Sequence, residues 1–429
     1  MLDINKITSE KKKISKALRK RGIKISFDEV IEKNEKRKNI QVKSDKLRAF
    51  RNEVSSKISV LKKEFKDVSD LVTQVKKANI KISEFDLKQK KLEEEVFDFL
   101  SRVPNIPDED VLPGGKENNK VINIYLEKSK FNFKPKNHIE IAKNLELVDY
   151  ELGAKLSGEG FWVYKNLGAR LEWALLNFFI DTHIEDGWEF IMTPHVLNYK
   201  CGYVAGQFPK FEHEQYFLDE KEGKNKKFLL PTAETALVNL HVNEILEKNE
   251  FPKKYFSYTP CFRRESGASR VEERGTIRGH QFNKVEMVQY VYKGDEERAF
   301  REMVKKAEDL IQAIGLHYQV SKLAAKDCSD SMCKTFDIEV FIPSINTYKE
   351  VSSISLCRDY QTRRGNTKYR DDTSKKLEFV STLNASGLAT SRLFPALLEQ
   401  FQLPDGSVEV PEVLRKYMSN IEVIKKKKY

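Results

Sequence analysis

Residues 263–287 read RRESGASRVEERGTIRGHQFNKVEM. Five arginines and three glycines fall in this one stretch, and both flanks alternate apolar and polar residues as strands do. Gly267, Gly275 and Gly279 would let the chain turn between them. A period of two places Arg263 and Glu265 on one face, and Phe282, Lys284 and Glu286 on one face. Charges on the inner face of a sheet are costly unless they are paired or meet a ligand. Two chemistries fit. Arginines grip phosphates bidentately, a phenylalanine ring can carry a base, and a carboxylate can accept from an exocyclic amine. The same residues could instead form a structural salt-bridge ladder, and spacing alone leaves both open.

Three further stretches carry polar groups at junctions. In LLPTAETALVNL, Thr232 and Glu234 stand where a strand meets a helix, so Glu234 is either an ammonium ligand or a first-turn carboxylate. In YKEVSSISLC, Glu350, Ser352 and Ser353 offer hard oxygens suited to Mg²⁺ shared with phosphates, or an ordinary polar strand end. In NASGLATSRLFPALLEQF, small residues are expected to open a helix to a ligand, with Arg392 in its first turns. No GxxxxGK[ST], GxGxxG, HExxH or CxxC occurs. A nucleotide site here must rest on an antiparallel sheet rather than on a strand–loop–helix cradle.

The elements that would position these groups are legible. A chain of 429 residues has room for two or three domains. Ile40, Leu47, Val54 and Leu61, supported by Phe50, Ile58 and Phe65, repeat at heptad spacing. After KDVSD a second seam runs through Leu71, Val75, Ala78, Ile82, Phe85, Leu92, Val96 and Phe99, with Ser69 or Asp70 as N-cap. The spacing predicts two antiparallel helices, the first from Asp28 to Phe65 and roughly 55 Å long. RVPNIPDEDVLPGG then marks a domain boundary. Beyond it, strand-like KNKKFLLPT, KYFSYTPCF and TFDIEVFIP alternate with helical LGARLEWALLNFFIDTHIEDG and EERAFREMVKKAEDLIQAIG, and WEFIMTPHVL reads as a strand. This pattern predicts an α+β body, an antiparallel sheet flanked by helices.

Residues 1–98 hold 27 Lys/Arg against 17 Asp/Glu, and residues 425–428 are four lysines. The positive charge at the two ends suits a polyanionic partner or plain solubility. No run of apolar residues reaches membrane-spanning length, and five cysteines without a CxxC pair fit a reducing compartment. Cys328 and Cys333 are expected to be buried thiols rather than zinc ligands.

Taken in order, these segments resemble the bacterial-type seryl-tRNA synthetases, a family of class II aminoacyl-tRNA synthetases. The resemblance spans the chain through LRKRG, LRAFRNEVSSKI, VPNIP, GQFPKF, FLLPTAE, FRRESG, HQFNKVEM, FDIEVFIP, DYQTRR and SGLATSR. GARLEWALLNFF with Pro194 looks like the first class II motif. The resemblance implies a tRNA-binding domain over 1–104, with a coiled-coil arm at about 28–99, and a catalytic domain over 105–429. It implies ATP-dependent serylation of tRNA-Ser by a cytoplasmic homodimer, through a seryl-adenylate, and leaves selenocysteine tRNA open as a second acceptor.

Residue by residue, Arg263 would hold the α-phosphate and the serine carboxylate, and with Arg392 would be catalytic. Glu265 would meet the adenine amine, Arg278 the γ-phosphate, and Phe282 and Arg392 the two faces of the base. Arg264, Gly279, Val351 and Ser352 complete the implied ATP set. Glu350 and Ser353 would take Mg²⁺. Thr232, Ala233, Glu234, Arg263 and Ser386 would enclose serine, with Glu286 on its hydroxyl. The loop 266–276 would meet the tRNA acceptor end through Arg270 and Arg274. The chain departs from the family at Gly160, where an arginine is usual, at VAGQ and at NASG.

Overall fold

The computed structural model describes residues 1–218, 226–265 and 274–426, so Arg270 and the end of the lysine run lie outside the described residues. The chain divides into two compact units. One comprises 2–19 and 23–104; the other comprises Met1, 20–22 and 105–429.

The first unit holds α1 (Ile4–Arg19), α2 (Asp28–Lys63) and α3 (Ser69–Arg102). Ion pairs Lys33–Glu95, Arg37–Glu93 and Arg48–Asp86 run in opposite senses along α2 and α3, so the two helices are antiparallel. The α3 seam buries Ala78, Ile82 and Val96 as the heptads predict. On α2 the seam is more polar than expected, with Asn34 and Ser44 buried beside Val54. Phe50 and Phe65 do not support it: Phe50 is exposed, and Phe65, past the helix end, is 99% exposed. Neither Ser69 nor Asp70 caps α3. Asp67 does so instead, accepting from the Ser69 backbone N–H at 2.9 Å and from its hydroxyl at 2.6 Å.

The second unit is built on one eight-stranded sheet. Its strands are β1 (Lys120–Tyr125), β2 (Glu189–Phe190), β3 (Lys253–Phe262), β4 (Gln281–Val291), β5 (Tyr318–Lys322), β6 (Lys334–Ile342), β7 (Thr347–Arg358) and β8 (Ser381–Ala389). The spatial order is β1-β5-β6-β7-β8-β4-β3-β2. Every neighbouring pair is antiparallel except the short edge β2 against β3. The segment WEFIMTPHVL is two strands, 189–190 and 196–198. Pro194 lacks an N–H and restricts the residue before it, so the ladder breaks there.

The two faces of the sheet differ in kind. Val285, Met287, Ile338, Ile354, Leu356, Leu383 and Ala385 point to one side and join the main core. That side is covered by α4 (Asn166–Glu185), α5 (Glu296–Ile314) and α6 (Thr390–Gln400), whose apolar residues share the same cluster. By strand alternation the intervening residues face the other way. These are Phe282, Lys284 and Glu286 on β4, Asn384 and Ser386 on β8, Ser353 and Ser355 on β7, and Thr335 and Asp337 on β6. Arg21 also anchors locally: its guanidinium donates to the carbonyls of Asn105, Ala325 and Cys328.

The small residues 384–389 lie in β8 and do not open α6 as a loop would. Gly387 is small for a packing reason. A Cβ there would sit 2.5 Å from Nε2 of His183 on α4, whose burial holds the imidazole neutral with its pKa down to about 3. Gly387→Ala should therefore destabilise the protein by about 1–3 kcal/mol through overpacking. In thermal unfolding, His183→Ala in the same chain should recover part of that loss, because it vacates the volume. Strictly additive losses in the double mutant would reject this packing account.

Candidate active site

A cleft of about 510 Å³ lies over the polar face of the sheet. A narrower slot of about 40 Å³, lined by Gly279, Phe282 and Arg392, shares several of its walls. Arg263, Arg278, Lys284, Glu350, Ser386 and Arg392 line both.

The floor comes from β4. Lys284 and Glu286, two residues apart and both buried, form an ion pair. Lys284 Nζ also donates to the Thr232 hydroxyl at 3.0 Å. Ser386, opposite Glu286 across the β4–β8 ladder, approaches it at 3.5 Å. Glu234 opens a single-turn helix (Glu234–Leu237) and is buried, accepting from Gln361 Nε2 at 2.8 Å and Asn384 Nδ2 at 2.9 Å. Burial first, and the neighbouring Glu286 second, push its pKa up to about 7. Glu234 is thus a buried acceptor rather than a helix-capping group.

The rim carries the arginines. Arg263 follows the end of β3, its guanidinium carbon 5.2 Å from the centre of the Phe282 ring. Glu265 does not stay on the strand face as alternation predicts, because its backbone turns left-handed at φ 47°. It reaches the slot another way, through a two-pronged ion pair with Arg278 at 2.7 and 2.5 Å. Arg392 on α6 donates to the Glu350 backbone carbonyl at 2.9 Å and lies 3.4 Å from its carboxylate. Asp337 lies opposite Ser353 across the β6–β7 ladder; burial and the nearby Glu350 raise its pKa well above the usual carboxylate range.

The structure thus brings together Thr232, Glu234, Arg263, Glu265, Arg278, Gly279, Phe282, Glu286, Glu350, Ser353, Ser386 and Arg392. Four expected residues have side chains that do not line the cleft. Ala233 packs in a satellite apolar cluster, and Val351 points into the main core. The Ser352 hydroxyl is buried against the Ser386 carbonyl at 2.5 Å. Arg264 is engaged through its backbone N–H with the Glu214 carbonyl at 3.0 Å. Lys284 and Asn384, by contrast, were not expected at the site and line it. The signal for Lys284 was present in the period-two alternation of FNKVEM. The departure at Gly160 also has a local account. Its carbonyl accepts from the His280 N–H at 3.1 Å, and a Cβ there would press on the His280 ring at 2.6 Å, with φ at +81°.

Family comparisons agree with this geometry. A family model described as "Seryl-tRNA synthetase N-terminal domain" matches residues 1–107, and one described as "tRNA synthetase class II core domain (G, H, P, S and T)" matches residues 214–401. Serine--tRNA ligase 2 of Clostridium acetobutylicum is 53% identical over 420 residues, covering 97% of this chain and 99% of that protein. The chain belongs to the seryl-tRNA synthetases. A second member of that family, the serine--tRNA ligase of Syntrophomonas wolfei, is 40% identical over 426 residues and 99% of both chains. The crystal structure of the Pyrococcus horikoshii seryl-tRNA synthetase complexed with ATP superposes with a TM-score of 0.90 at 28% identity, covering 100% of both chains. A Giardia lamblia prolyl-tRNA synthetase at 16% identity and TM-score 0.57 shares the fold over 66% of this chain.

The raised pKa of Glu234 has a signed consequence. Its carboxyl binds its proton more tightly folded, at about 7, than at the usual 4.5. The penalty for burying its charge is therefore absent below pH 4.5 and grows as pH rises through 7. Glu234→Gln should raise stability by about 3 kcal/mol at pH 8 and change it little near pH 4.5. Denaturant unfolding at the two pH values tests this. Equal effects at both would mean that Glu234 carries no buried charge.

Proposed function

We propose that the protein attaches L-serine to tRNA-Ser at the expense of ATP, through a seryl-adenylate, and that the cleft described above is the site of both steps. One observation carries the assignment of the site: the buried carboxylates Glu234 and Glu286 line the same cleft as Arg263, Arg278 and Arg392. That polarity fits a small zwitterion with a hydroxyl, presented to a polyphosphate.

The roles follow from the chemistry of the groups. Glu234 takes the ammonium group of serine, and Glu286 takes its hydroxyl. Arg263 draws the serine carboxylate toward the α-phosphorus, while Phe282 and Arg392 hold the base. The carboxylate attacks in line and pyrophosphate leaves. Arg263 and Arg392 are already placed for the charge that develops on the phosphoryl group, so positioning and electrostatics supply the rate. A ribose hydroxyl of the tRNA terminus then attacks the adenylate carbonyl, and AMP departs. Alanine would leave Glu286 without its hydroxyl partner, and a site of this kind disfavours such an analogue by about 10⁴-fold.

Glu350 and Ser353 would hold Mg²⁺ with the phosphates. Both offer hard oxygen donors, and the unpartnered Oδ1 of Asp337 beside them adds to the local demand for a cation. When bound, the ion neutralises phosphate charge.

We assign residues 1–104 to tRNA binding, with the α2–α3 arm on the long variable region, and 105–429 to catalysis. A second copy of the chain is the natural cover for exposed Trp173, Ile184, Phe190 and Met192 on and after α4, with exposures of 51, 50, 37 and 83%. All five cysteines are free, as in a reducing cytoplasm. Sedimentation at micromolar concentration should give a dimer mass; a monomer would reject the dimer.

Serine-dependent ATP–pyrophosphate exchange, with and without tRNA-Ser, tests the reaction. A failure to exchange with any amino acid would sink it. Deleting residues 34–92 should spare exchange and abolish tRNA charging, because Lys33 already pairs with Glu95 and a short connection can close the hairpin there. Charging by the deleted protein would reject the role given to the arm.

A further inference from the structure

The cleft runs past the serine and arginine groups onto β6 and β7. There Asp337 stands opposite Ser353, and Glu339 opposite Glu350, and all four line the cleft. The two β6 carboxylates are in different situations. Glu339 is occupied, its Oε2 accepting from Gln319 at 2.8 Å and from Ser321 at 2.6 Å. Asp337 is only 8% exposed, stands opposite Ser353 in the ladder, and its Oδ1 has no hydrogen-bond partner.

A buried carboxylate oxygen without a partner is costly, and native structures rarely keep one without a use. This one lines a cleft and adjoins the two groups assigned to a cation. Among the described residues, no three His, Cys, Asp or Glu side chains converge to hold a metal ion directly. Mg²⁺ dehydrates reluctantly and keeps several waters when phosphates supply its other ligands. A water on such an ion is a strong donor, and Asp337 Oδ1 is a buried carboxyl oxygen lacking one.

We propose that Asp337 binds the hydrated divalent cation held by Glu350 and Ser353, accepting from a metal-bound water through its unpaired Oδ1. The inference rests on the nucleotide-site reading of Glu350 and Ser353. It makes Asp337 a positioning residue for the ion. Carboxylates that orient metal ligands in this way typically affect metal affinity by about 10- to 100-fold.

The test uses the full chain, Mn²⁺ as the probe and α,β-methylene-ATP as a nucleotide that cannot transfer. Free Mn²⁺ is read by its electron paramagnetic resonance signal. Asp337→Asn should weaken Mn²⁺ binding in the presence of the nucleotide by about 10-fold or more, while the affinity for metal-free nucleotide is unchanged. Mn²⁺ affinity equal to that of the unaltered protein would overturn the proposal. Should Asp337→Asn not fold, Asp337→Glu carries the same test. It keeps the charge but displaces the oxygens by one methylene, so it too must weaken Mn²⁺. The two readings fail separately. An unaltered chain that binds Mn²⁺ with nucleotide but exchanges no pyrophosphate with serine rejects the enzymatic reading. Normal exchange together with undiminished Mn²⁺ binding in the variants rejects Asp337 alone.

Discussion

Lys284 and Glu286 meet as an ion pair on a sheet face that is nearly closed to solvent, at 6% and 2% exposure. Much of the second unit follows from having to hold that pair. A buried ion pair seldom adds stability over an apolar pair of the same size, so a fold that keeps one must be stabilised elsewhere. Here the compensation is the opposite face of the same strands. Val285 and Met287 alternate with the charged residues and enter the large core under α4, α5 and α6. One strand therefore carries both the costly chemistry and the apolar contacts that offset it. Glu234 raises the cost further, since burial and Glu286 together push its pKa up to about 7. A bound ammonium group would relieve both.

A second buried carboxylate ties the pieces together from behind. Glu172 on α4 accepts from Asn283 Nδ2 at 2.9 Å and from the Thr390 hydroxyl at 2.5 Å. Asn283 stands between Phe282 and Lys284, and Thr390 begins the helix that carries Arg392. One carboxyl group thus sets the register between the strand that offers the ring and the helix that offers the guanidinium. Burial raises its pKa to about 7 as well. Such a connection is invisible in sequence, because its three residues are separated by more than a hundred positions and none has an unusual neighbour.

Alternation and order were legible in the residues themselves. The period-two pattern of β4 placed Phe282, Lys284 and Glu286 on one face, and the heptads of α3 placed Ala78, Ile82 and Val96 in its seam. The readings that failed were those needing local backbone detail. Glu265 leaves the strand face because one residue turns left-handed. The cap of α3 moves two residues upstream because Asp67, not Ser69, reaches the free N–H groups. Gly387 looked like an opening for a ligand, yet its missing side chain makes room for His183 from the far side of the sheet. Ala233, Val351 and Ser352 are neighbours of lining residues along the chain, and in extended or turning backbone a neighbour points away. The resemblance to seryl-tRNA synthetases fixed which segments matter, and the register of the strands decided which side chains within them reach the cleft.

Two of the rim arginines are held by oxygens of the protein itself. Arg278 is held by Glu265, and Arg392 by the carbonyl and carboxylate of Glu350. Each of these two guanidinium groups thus has an oxygen partner within the protein. Under the proposed function, a polyphosphate would exchange these partners rather than create new ones, so the net gain would be the difference between a phosphate and a carboxylate contact. That difference is smaller than either contact alone, but the guanidinium groups are already oriented and little side-chain entropy is lost on binding. The carboxylates released by such an exchange would in turn be left facing the ligand. Under the proposed roles, Glu265 would then accept from a base amine, and Glu350 would share a cation with the phosphates. The groups paired across this rim, Arg278 with Glu265 and Arg392 with Glu350, are the same groups to which the proposal gives nucleotide contacts.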